Sequence, residues 1–544
     1  MTRHILLIAA LMASASAWAC TNLIVGRRAS ADGSVMITYS ADAYGSYGYL
    51  HFYPAGHHQP GEMRKLYDYE TSNYLGEIPE APYTYGVIGQ VNDQQLSIME
   101  TTFGGREELV DTTGLLDYGE LMYLTLQRAR TARQAIDVWT DLVERYGYRS
   151  EGESITMADP TEVWVLEMIG RGPGRKGAVW VARRLPDDCI TAHANQARIT
   201  RFPLHDKANC LYSKDVITLA RERGYFSGKD EDFSFRDAYA PNDFSARRIC
   251  EARVWSFFNH HAPGMERYLP YALGIDSVAE EMPWCIRPDA PVTLRQLKAD
   301  MRDHFEGTPL DMTSDIGAGP YDAPYRPTPL TFTVDSVRYF NERPISTQQT
   351  AVTYIAQLRS WLPNHIGGIQ WAGCDDANMV PYTPLYCSTT ANPVCFDQAT
   401  ADPFTFSTRS AYWMANALSN FVYPRYSQLF PELQTERDAL DSEFEALVAQ
   451  ADSAALTMTD DEARAHLTAI GLQAADTMMQ RWQQLAMRLI VKYNDMTIKP
   501  ERNGQYLRTP GGDHVPVIRP GYPEPYRRAI IQATGDRYRM PAAK

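Results

Sequence analysis

Short apolar runs dominate the N-terminal part of the chain. Two of them, residues 21–26 (TNLIVG) and 34–39 (SVMITY), flank a polar segment whose Asp32-Gly33 pair favours a tight turn. The pattern predicts a β-hairpin that begins directly after Cys20. Similar runs predict further strands at residues 85–92, 96–102, 154–158, 163–169, 178–183 and 189–195.

Other parts of the chain repeat apolar residues every three to four positions, which is typical of amphipathic helices. Residues 118–146 predict one such helix. Towards the C-terminus, Thr459 to Glu462 form a capping box, and an apolar stripe continues to about Tyr493. Strand pairs that alternate with helices predict an α+β protein whose antiparallel sheets are covered by helices.

The first residues have the composition of an export signal. Arg3 supplies a positive charge, an apolar stretch follows, and Ala17-Trp18-Ala19 forms an A-x-A cleavage site before Cys20. No later apolar run reaches the roughly 18 residues that span a bilayer. We therefore expect an exported protein, periplasmic or extracellular, without a membrane span. The expected segments are a signal peptide (1–19), a core with the candidate chemistry (20–405), a helical extension packed on it (406–497), and an ordered or partly ordered tail (498–544).

Composition and charge exclude several classes of protein. Hydrophobic residues make up 44% of the 544 residues, which is globular composition. The net charge of −14 argues against nucleic acid as the main partner, because phosphate binding requires clustered Lys and Arg. The eight cysteines include no CxxC pair, and no G-x-S-x-G or H-E-x-x-H motif occurs. The sequence therefore predicts neither a metal nor an organic cofactor, and it leaves the oligomeric state open.

Cleavage after Ala19 would make Cys20 the first residue, and three interpretations of this cysteine compete. It could pack or form a disulfide, it could carry the acyl chains of a lipid-anchored binding protein, or it could be an N-terminal nucleophile. In the last case one residue supplies both a thiol and the base, its own α-amine. Their ordinary pKa values, ~8.5 and ~7.7–8.0, suit proton transfer near neutral pH.

Four segments resemble one family of hydrolases. They are the opening CTNLIVGRRASADGSVMITYSAD, the HANQARI at residues 193–199, the EARVW at 251–255, and the RPIS and TYIAQLR within 343–359. The chain resembles the secreted dipeptidases of the N-terminal-nucleophile (Ntn) hydrolase superfamily, which are related to choloylglycine hydrolase and penicillin V acylase. The likeness runs from Cys20 to about residue 495.

The resemblance implies a four-layer αββα sandwich with added C-terminal helices, and hydrolysis of unblocked dipeptides without a cofactor. It makes Cys20 the nucleophile and its α-amine the base, with Asp42 close to both groups. Asn195 matches the asparagine that stabilises the tetrahedral oxyanion. Asn92 is a weaker match to a second oxyanion donor, and a turn residue is the alternative.

Two further positions qualify this assignment. Many relatives carry arginine where Tyr39 stands, so the positive charge that helps the thiolate is missing there. Arg253 matches an arginine of the family and could offset that loss, or it could form a structural ion pair. Tyr39 and Glu100 are candidates for substrate binding, Glu100 and Asp42 for holding a substrate's free amine. A hydrolase of N-acyl amides and a lipid-anchored binding protein remain the alternative functions.

Overall fold

The computed structural model describes residues 20–276 and 278–542, so the predicted signal peptide lies outside the described residues. The strands, numbered along the chain, are β1 (Asn22–Val25), β2 (Val35–Asp42), β3 (Phe52–Tyr53), β4 (Gly56–His57), β5 (Met63–Tyr67), β6 (Tyr74–Pro79), β7 (Tyr83–Thr84), β8 (Val87–Ile88), β9 (Val91–Asn92), β10 (Ser97–Gly104), β11 (Gly152–Ala158), β12 (Val163–Gly170), β13 (Ala178–Arg184), β14 (Ile190–His193), β15 (Cys210–Tyr212), β16 (Thr331–Val334), β17 (Val337–Phe340), β18 (Thr350–Leu358), β19 (Gly368–Cys374), β20 (Thr383–Tyr386), β21 (Glu501–Arg502) and β22 (Gln505–Tyr506).

Helices connect and cover these strands. The α-helices, numbered in the same way, are α1 (Tyr118–Leu126), α2 (Ala132–Tyr146), α3 (Val216–Glu222), α4 (Phe235–Tyr239), α5 (Ala252–His261), α6 (Leu269–Leu273), α7 (Leu294–Asp300), α8 (Asn364–Gly367), α9 (Ala411–Val422), α10 (Tyr426–Ala455), α11 (Asp460–Tyr493) and α12 (Glu524–Thr534).

The larger strands assemble into two antiparallel sheets, which confirms the predicted α+β class. In the first sheet the strands follow the order β14-β1-β2-β18-β19-β20. In the second the order is β15-β13-β12-β11-β10-β9-β8-β3. The predicted hairpin forms because Asp32 accepts hydrogen bonds from the hydroxyl and backbone N–H of Ser34, which fixes the turn between β1 and β2.

The two sheets face each other through β2, which contacts β10 and β11. Met99 and Val165 of the second sheet and Ile37 and Ile355 of the first lie in one apolar cluster and are almost completely buried. Burial of such side chains contributes about 1.5–3 kcal/mol each. Helices α1 and α2 pack on β10, β11 and β12, whereas α9, α10 and α11 pack on β19 and β20. Most of the polar groups described below lie on β2, β10 and β11, the strands through which the two sheets meet.

The single helix predicted over residues 118–146 is wrong, because the structure divides it into α1 and α2. The side-chain amide of Asn92 donates hydrogen bonds of 2.7 and 2.8 Å to the carbonyl oxygens of Leu126 and Ala129. These bonds satisfy carbonyl groups that a continuous helix would have bonded internally. The side chain of Thr131 then caps the start of α2.

The C-terminal helices agree with the predicted pattern. Thr459 and Glu462 form the capping box that opens α11, and Leu440 and Phe444 of α10 are buried. Across the described ranges, no helix combines the length and the apolar character needed to cross a bilayer. The division into a core, a helical extension and a tail stays a prediction.

Candidate active site

The hairpin places Cys20 just before the start of β1 and beside the end of β2. Thr21 and Ser40 exchange backbone hydrogen bonds of 3.3 and 3.0 Å, which extends the pairing of β1 and β2 to the residue next to Cys20. Asp42, the last residue of β2, follows two positions after Ser40. Cys20 is only 1% exposed, so its thiol belongs to the interior of the protein.

The thiol of Cys20 joins a small network of polar side chains. Its Sγ lies 3.7 Å from Oε1 of Glu100 and 3.9 Å from the hydroxyl oxygen of Tyr39. The Tyr39 hydroxyl donates a 2.7 Å hydrogen bond to the same Glu100 oxygen. The structure therefore brings together Cys20 and both residues predicted to bind substrate.

A second glutamate, which the sequence analysis missed, completes this network. Thr102 of β10 pairs with Glu153 of β11 across the sheet, and its hydroxyl donates a 2.7 Å hydrogen bond to Oε1 of Glu153. Glu100 lies two positions before Thr102 and therefore on the same face of the sheet. The carboxyl groups of Glu100 and Glu153 contact each other, which requires a proton between them.

Burial dominates the electrostatics of the network. It raises the pKa of the Cys20 thiol well above its ordinary value, and the charges of Glu100 and Asp42 raise it further. Burial followed by the charge of Glu100 raises the pKa of Glu153 well above normal, and burial also raises the pKa of Glu100. The thiol is consequently protonated at neutral pH as long as the nitrogen of Cys20 remains in a peptide bond.

Asp42 is buried, and its carboxylate has several partners. Ser40 and Thr350 donate hydrogen bonds of 3.0 and 2.6 Å to it, and Arg343 forms an ion pair with it. Arg343 belongs to the RPIS segment, but the sequence analysis gave it no role. These contacts fix the end of β2. They leave Asp42 close enough to Cys20 for its charge to raise the pKa of the thiol, so the catalytic role of Asp42 stays a prediction.

Arg253 links the nucleophile segment to the loop that follows β14. Its guanidinium donates to the carbonyl oxygen of Cys20 at 2.6 Å, to Ala194 O at 2.9 Å and to Oδ1 of Asn195 at 3.0 Å. Burial, followed by the charge of Arg343, lowers the pKa of Arg253 to about 10. Arg253 therefore brings a positive charge close to Cys20, but its hydrogen bonds go to backbone, hydroxyl and amide oxygens rather than to the sulfur of Cys20.

Hydrogen bonds to both the oxygen and the nitrogen of its amide group orient the side chain of Asn195. Its φ of 65° lies in the left-handed region, which asparagine tolerates better than most residues. Arg253 holds Oδ1, and Nδ2 donates a 2.8 Å hydrogen bond to the carbonyl oxygen of Thr102. This arrangement directs the amide N–H groups towards β10, the strand that carries Glu100.

Asn92 does not join this network, and the structure contradicts its prediction as a second oxyanion donor. It is fully buried, and both hydrogens of its amide bind the carbonyl oxygens at the end of α1. Its Oδ1 accepts the backbone N–H groups of Gln94 and Leu96. No side-chain donor is left for a substrate, so Asn92 is a turn residue.

Two cavities lie on either side of the network and meet at Glu70. We call the first the tyrosine cavity; it measures about 540 Å³ and is lined by Tyr39, Tyr47, Tyr49, His51, Tyr69, Glu70, Gln90, Tyr123, Tyr354 and Asp402, among others. We call the second the acidic cavity; it measures about 640 Å³ and is lined by Asp68, Glu70, Thr102, Asp117, Arg149, Glu151, Glu153 and Asn195, among others. Because Tyr39 lines one and Asn195 the other, both cavities border the surroundings of Cys20.

The site consists of carboxyl, hydroxyl, amide and thiol groups and offers no metal centre. Within residues 20–276 and 278–542, no three His, Cys, Asp or Glu side chains are arranged to hold a metal ion. A buried thiol next to an oriented asparagine amide is the arrangement that an acyl-transfer reaction needs, namely a nucleophile and a donor for the oxyanion. Fold and site thus define an α+β protein with the groups of a thiol hydrolase.

Comparisons with known proteins agree with this class. The sequence profile of peptidase family C69 matches residues 19–102 and 70–438. The chain therefore belongs to peptidase family C69, as the resemblance predicted.

Similar curated proteins carry dipeptidase names. A "Probable dipeptidase" of Salmonella dublin is 26% identical over 406 residues, which cover 71% of this chain and 85% of that protein. The "Dipeptidase A" of Lactobacillus helveticus is 24% identical over 510 residues, 88% of this chain and 98% of that protein. A "Probable dipeptidase" of Latilactobacillus sakei is 23% identical and covers 75% of this chain and 82% of its own length.

Proposed function

We propose that this protein is an exported dipeptidase that uses Cys20 as an N-terminal nucleophile on an αββα Ntn-hydrolase framework. The observation that carries the proposal is the contact of the Cys20 thiol with Tyr39 and Glu100, in a site where Arg253 binds both the Cys20 carbonyl oxygen and Asn195 Oδ1. The A-x-A sequence before Cys20 and the membership in peptidase family C69 support it.

In the proposed reaction, cleavage after Ala19 frees the α-amine of Cys20. The amine takes the thiol proton, and Sγ attacks the carbonyl carbon of the dipeptide's peptide bond. Asn195 Nδ2 donates to the oxyanion that forms. When the C–N bond breaks, the amine returns the proton to the leaving amino acid, and a thioester remains. A water molecule then gives a proton to the amine and its oxygen to the acyl carbon, which releases the second amino acid and the thiol.

The buried glutamate pair is our candidate for recognising an unblocked substrate. Glu100 and Glu153 face each other without a Lys or Arg bonded to either among the described residues. A substrate ammonium group would replace the proton that the pair shares, so each carboxylate gains a positive partner. Asp42 is less suited to this role, because Arg343 already neutralises it.

The lining of the two cavities disfavours one alternative function, and a mass measurement tests the other. A hydrolase of N-acyl amides needs an apolar pocket for its acyl group, whereas carboxylates and hydroxyls line both cavities here. A lipid-anchored binding protein would carry acyl chains on Cys20, which the intact mass of the mature protein would reveal.

The test compares free and blocked substrates on the mature chain. We expect the purified protein, with Cys20 verified by mass as its first residue, to hydrolyse Ala-Ala but not N-acetyl-Ala-Ala, with or without EDTA. Matched Cys20→Ala and Cys20→Ser variants control for contaminating peptidases. Equal rates on the acetylated substrate would contradict the recognition of a free amine. Loss of activity in EDTA that zinc restores would contradict the thiol mechanism.

A further inference from the structure

The tyrosine cavity has a wall of neutral aromatic rings. Burial raises the pKa of Tyr49 to about 12 and those of Tyr69 and Tyr123 well above the ordinary value, so all three remain uncharged phenols. Burial lowers the pKa of His51 to about 4, which keeps this imidazole neutral as well. No Lys or Arg of the described ranges lines the cavity. Besides these neutral groups, the wall contains the carboxyl groups of Glu70 and Asp402; burial, followed by the charges of Asp68 and Asp117, raises the pKa of Glu70 to about 7, and a cation beside it would favour its ionised form.

One of these carboxyl groups has no partner among the residues that the structure describes. Glu70 stands where the tyrosine cavity meets the acidic cavity. Within the described residues its side chain forms neither a hydrogen bond nor an ion pair, whereas Asp68 next to it is paired with Arg149 at 3.7 Å. The other carboxylate of the wall, Asp402, is bound by the backbone N–H of Phe404 and the hydroxyl of Thr405.

A second, buried acceptor in the same wall also lacks a donor. Gln90 is 1% exposed, and its Oε1 accepts no hydrogen bond from the described residues. Its Nε2 points to the sulfur of Met122 at 3.9 Å. A buried oxygen without a donor costs free energy, so such groups are rare in proteins unless a ligand or water satisfies them. The cavity thus presents one buried oxygen that lacks an N–H donor and, at its solvent-exposed rim, the carboxyl group of Glu70 among the acidic neighbours Asp68, Asp117 and Glu151.

We propose that the tyrosine cavity binds the side chain of a basic residue, lysine or arginine, in the dipeptide substrate. The aliphatic part of such a side chain would lie along the tyrosine rings, and its cationic group would donate hydrogen bonds to Glu70 and Gln90. Cations also interact favourably with the faces of aromatic rings. This inference rests on the proposed function and adds to it a class of preferred substrates.

Uncharged and acidic side chains fit the wall less well. An aromatic or aliphatic side chain could cover the rings, but it would leave the buried Gln90 Oε1 without a donor and would bring no positive charge to Glu70. An acidic side chain would add a further negative charge beside Glu70. A lysine side chain satisfies both acceptors and shares its stem with norleucine, which lacks only the charged group.

The experiment uses this pair of isosteres. We expect the mature enzyme to hydrolyse lysine-alanine dipeptides, in whichever order places lysine in the cavity, about tenfold or more faster in kcat/KM than the norleucine counterparts. Glu70→Gln should bring this ratio close to one by lowering kcat/KM for the lysine dipeptides more than for the norleucine dipeptides. The matched control Asp402→Asn removes a carboxylate of the same wall that already has partners, and it should keep the ratio. Gln90→Leu should lower the ratio without loss of thermal stability.

The outcomes separate this inference from the proposed function. If Ala-Ala is hydrolysed but lysine and norleucine dipeptides react equally in both orders, the basic-residue subsite is wrong and the dipeptidase proposal stands. If no dipeptide is hydrolysed, the proposed function fails, and calorimetric binding to Cys20→Ala decides about the cavity. Tighter binding of the lysine peptides, abolished by Glu70→Gln, would support the subsite, and equal binding would overturn it.

Discussion

Two buried polar regions of this protein handle charge in opposite ways. Between α7 and α10, Lys298 is 1% exposed and lies 3.1 Å from Glu445 and 3.8 Å from Asp441. Arg302 binds the same Asp441 at 2.8 Å. Burial alone would raise the pKa of Asp441, but Arg302 and Lys298 outweigh it and hold this pKa below its usual value.

The region around Cys20 lacks this balance. Glu100 and Glu153 contact each other rather than a cation, and burial raises the pKa of both. Isolated buried charges are costly, and proteins avoid them unless a partner is supplied. The carboxylates at α7 have Lys298 and Arg302 as partners, whereas no Lys or Arg of the described residues is bonded to Glu100 or Glu153. In the proposed function, the second region is therefore the one that receives a cationic group from elsewhere.

The proposed mechanism supplies two such cations. Removal of residues 1–19 would create the α-ammonium group of Cys20, and the substrate would bring its own ammonium group. Neither is present in the unprocessed chain, in which the thiol pKa is raised by burial and by two carboxylates. We infer that processing switches on the reaction by changing the charge around the thiol as well as by creating a base.

The largest effect should follow from blocking that new amine. A mature chain that begins at Cys20 should be active, and the same chain with one extra residue before Cys20 should lose about 10²–10⁴-fold in kcat/KM, the usual contribution of a general base. The measurement is dipeptide hydrolysis, with mass spectrometry to verify that the extra residue survives purification. An extended form as active as the mature one would contradict the N-terminal-nucleophile mechanism.

Asn195→Ala should have the next largest effect, because its amide is proposed to bind the oxyanion. We expect kcat to fall about 10²–10³-fold with little change in KM. Asn92→Ala is the matched control: its amide binds the end of α1, so it should lower thermal stability but not kcat of the folded enzyme. If the two variants behave alike, Asn195 also has a structural role.

These two asparagines show how far the sequence predicts the site. Asn195 lies in the HANQARI segment that resembles the family, Asn92 is a weaker match outside the four segments, and the fold separates their roles. Asn195 follows β14 and is oriented by Arg253, whereas Asn92 binds carbonyl groups of Leu126 and Ala129. The same long-range bonds explain why the prediction of one continuous helix over residues 118–146 is wrong: the break in the helix depends on Asn92, which lies outside the helical pattern.

Local signals predicted the fold better than they predicted the charged pairs. The Asp32-Gly33 turn and the Thr459 capping box act within a few residues, and the structure contains both. Arg343 reaches Asp42 across 301 positions of sequence, and Glu153 gains its role from pairing with β10. Alternation within strands indicates which residues share a face, but not which strands become neighbours.

A smaller effect, on stability alone, should come from breaking the balanced cluster. Lys298→Met removes the buried ammonium group from Asp441 and Glu445, although Arg302 still binds Asp441. We expect a loss of about 1–3 kcal/mol in the free energy of unfolding, measured by chemical denaturation, with unchanged kcat. A stability equal to that of the wild type would show that this region does not depend on its charge balance.

The smallest effect concerns how stability changes with pH. A carboxyl group whose pKa is raised by folding stabilises the protein fully below its ordinary pKa, and this contribution is lost as pH rises. Since burial, followed by the charge of Glu100, raises the pKa of Glu153, the wild type should lose stability as the pH rises from about 5, just above the ordinary pKa of a glutamate, towards the raised pKa, and Glu153→Gln should lose less, by on the order of 1 kcal/mol. Asp441 should give a pH dependence of the opposite sign. Because its pKa is lowered, the stability that Asp441 contributes is present at neutral pH and disappears on acidification, and Asp441→Asn removes this contribution. Thermal denaturation of the three proteins across this range and down to pH 3 measures both slopes. Parallel curves for the wild type and Glu153→Gln would mean that Glu153 already has a cationic partner, and the contrast between the two regions would no longer hold.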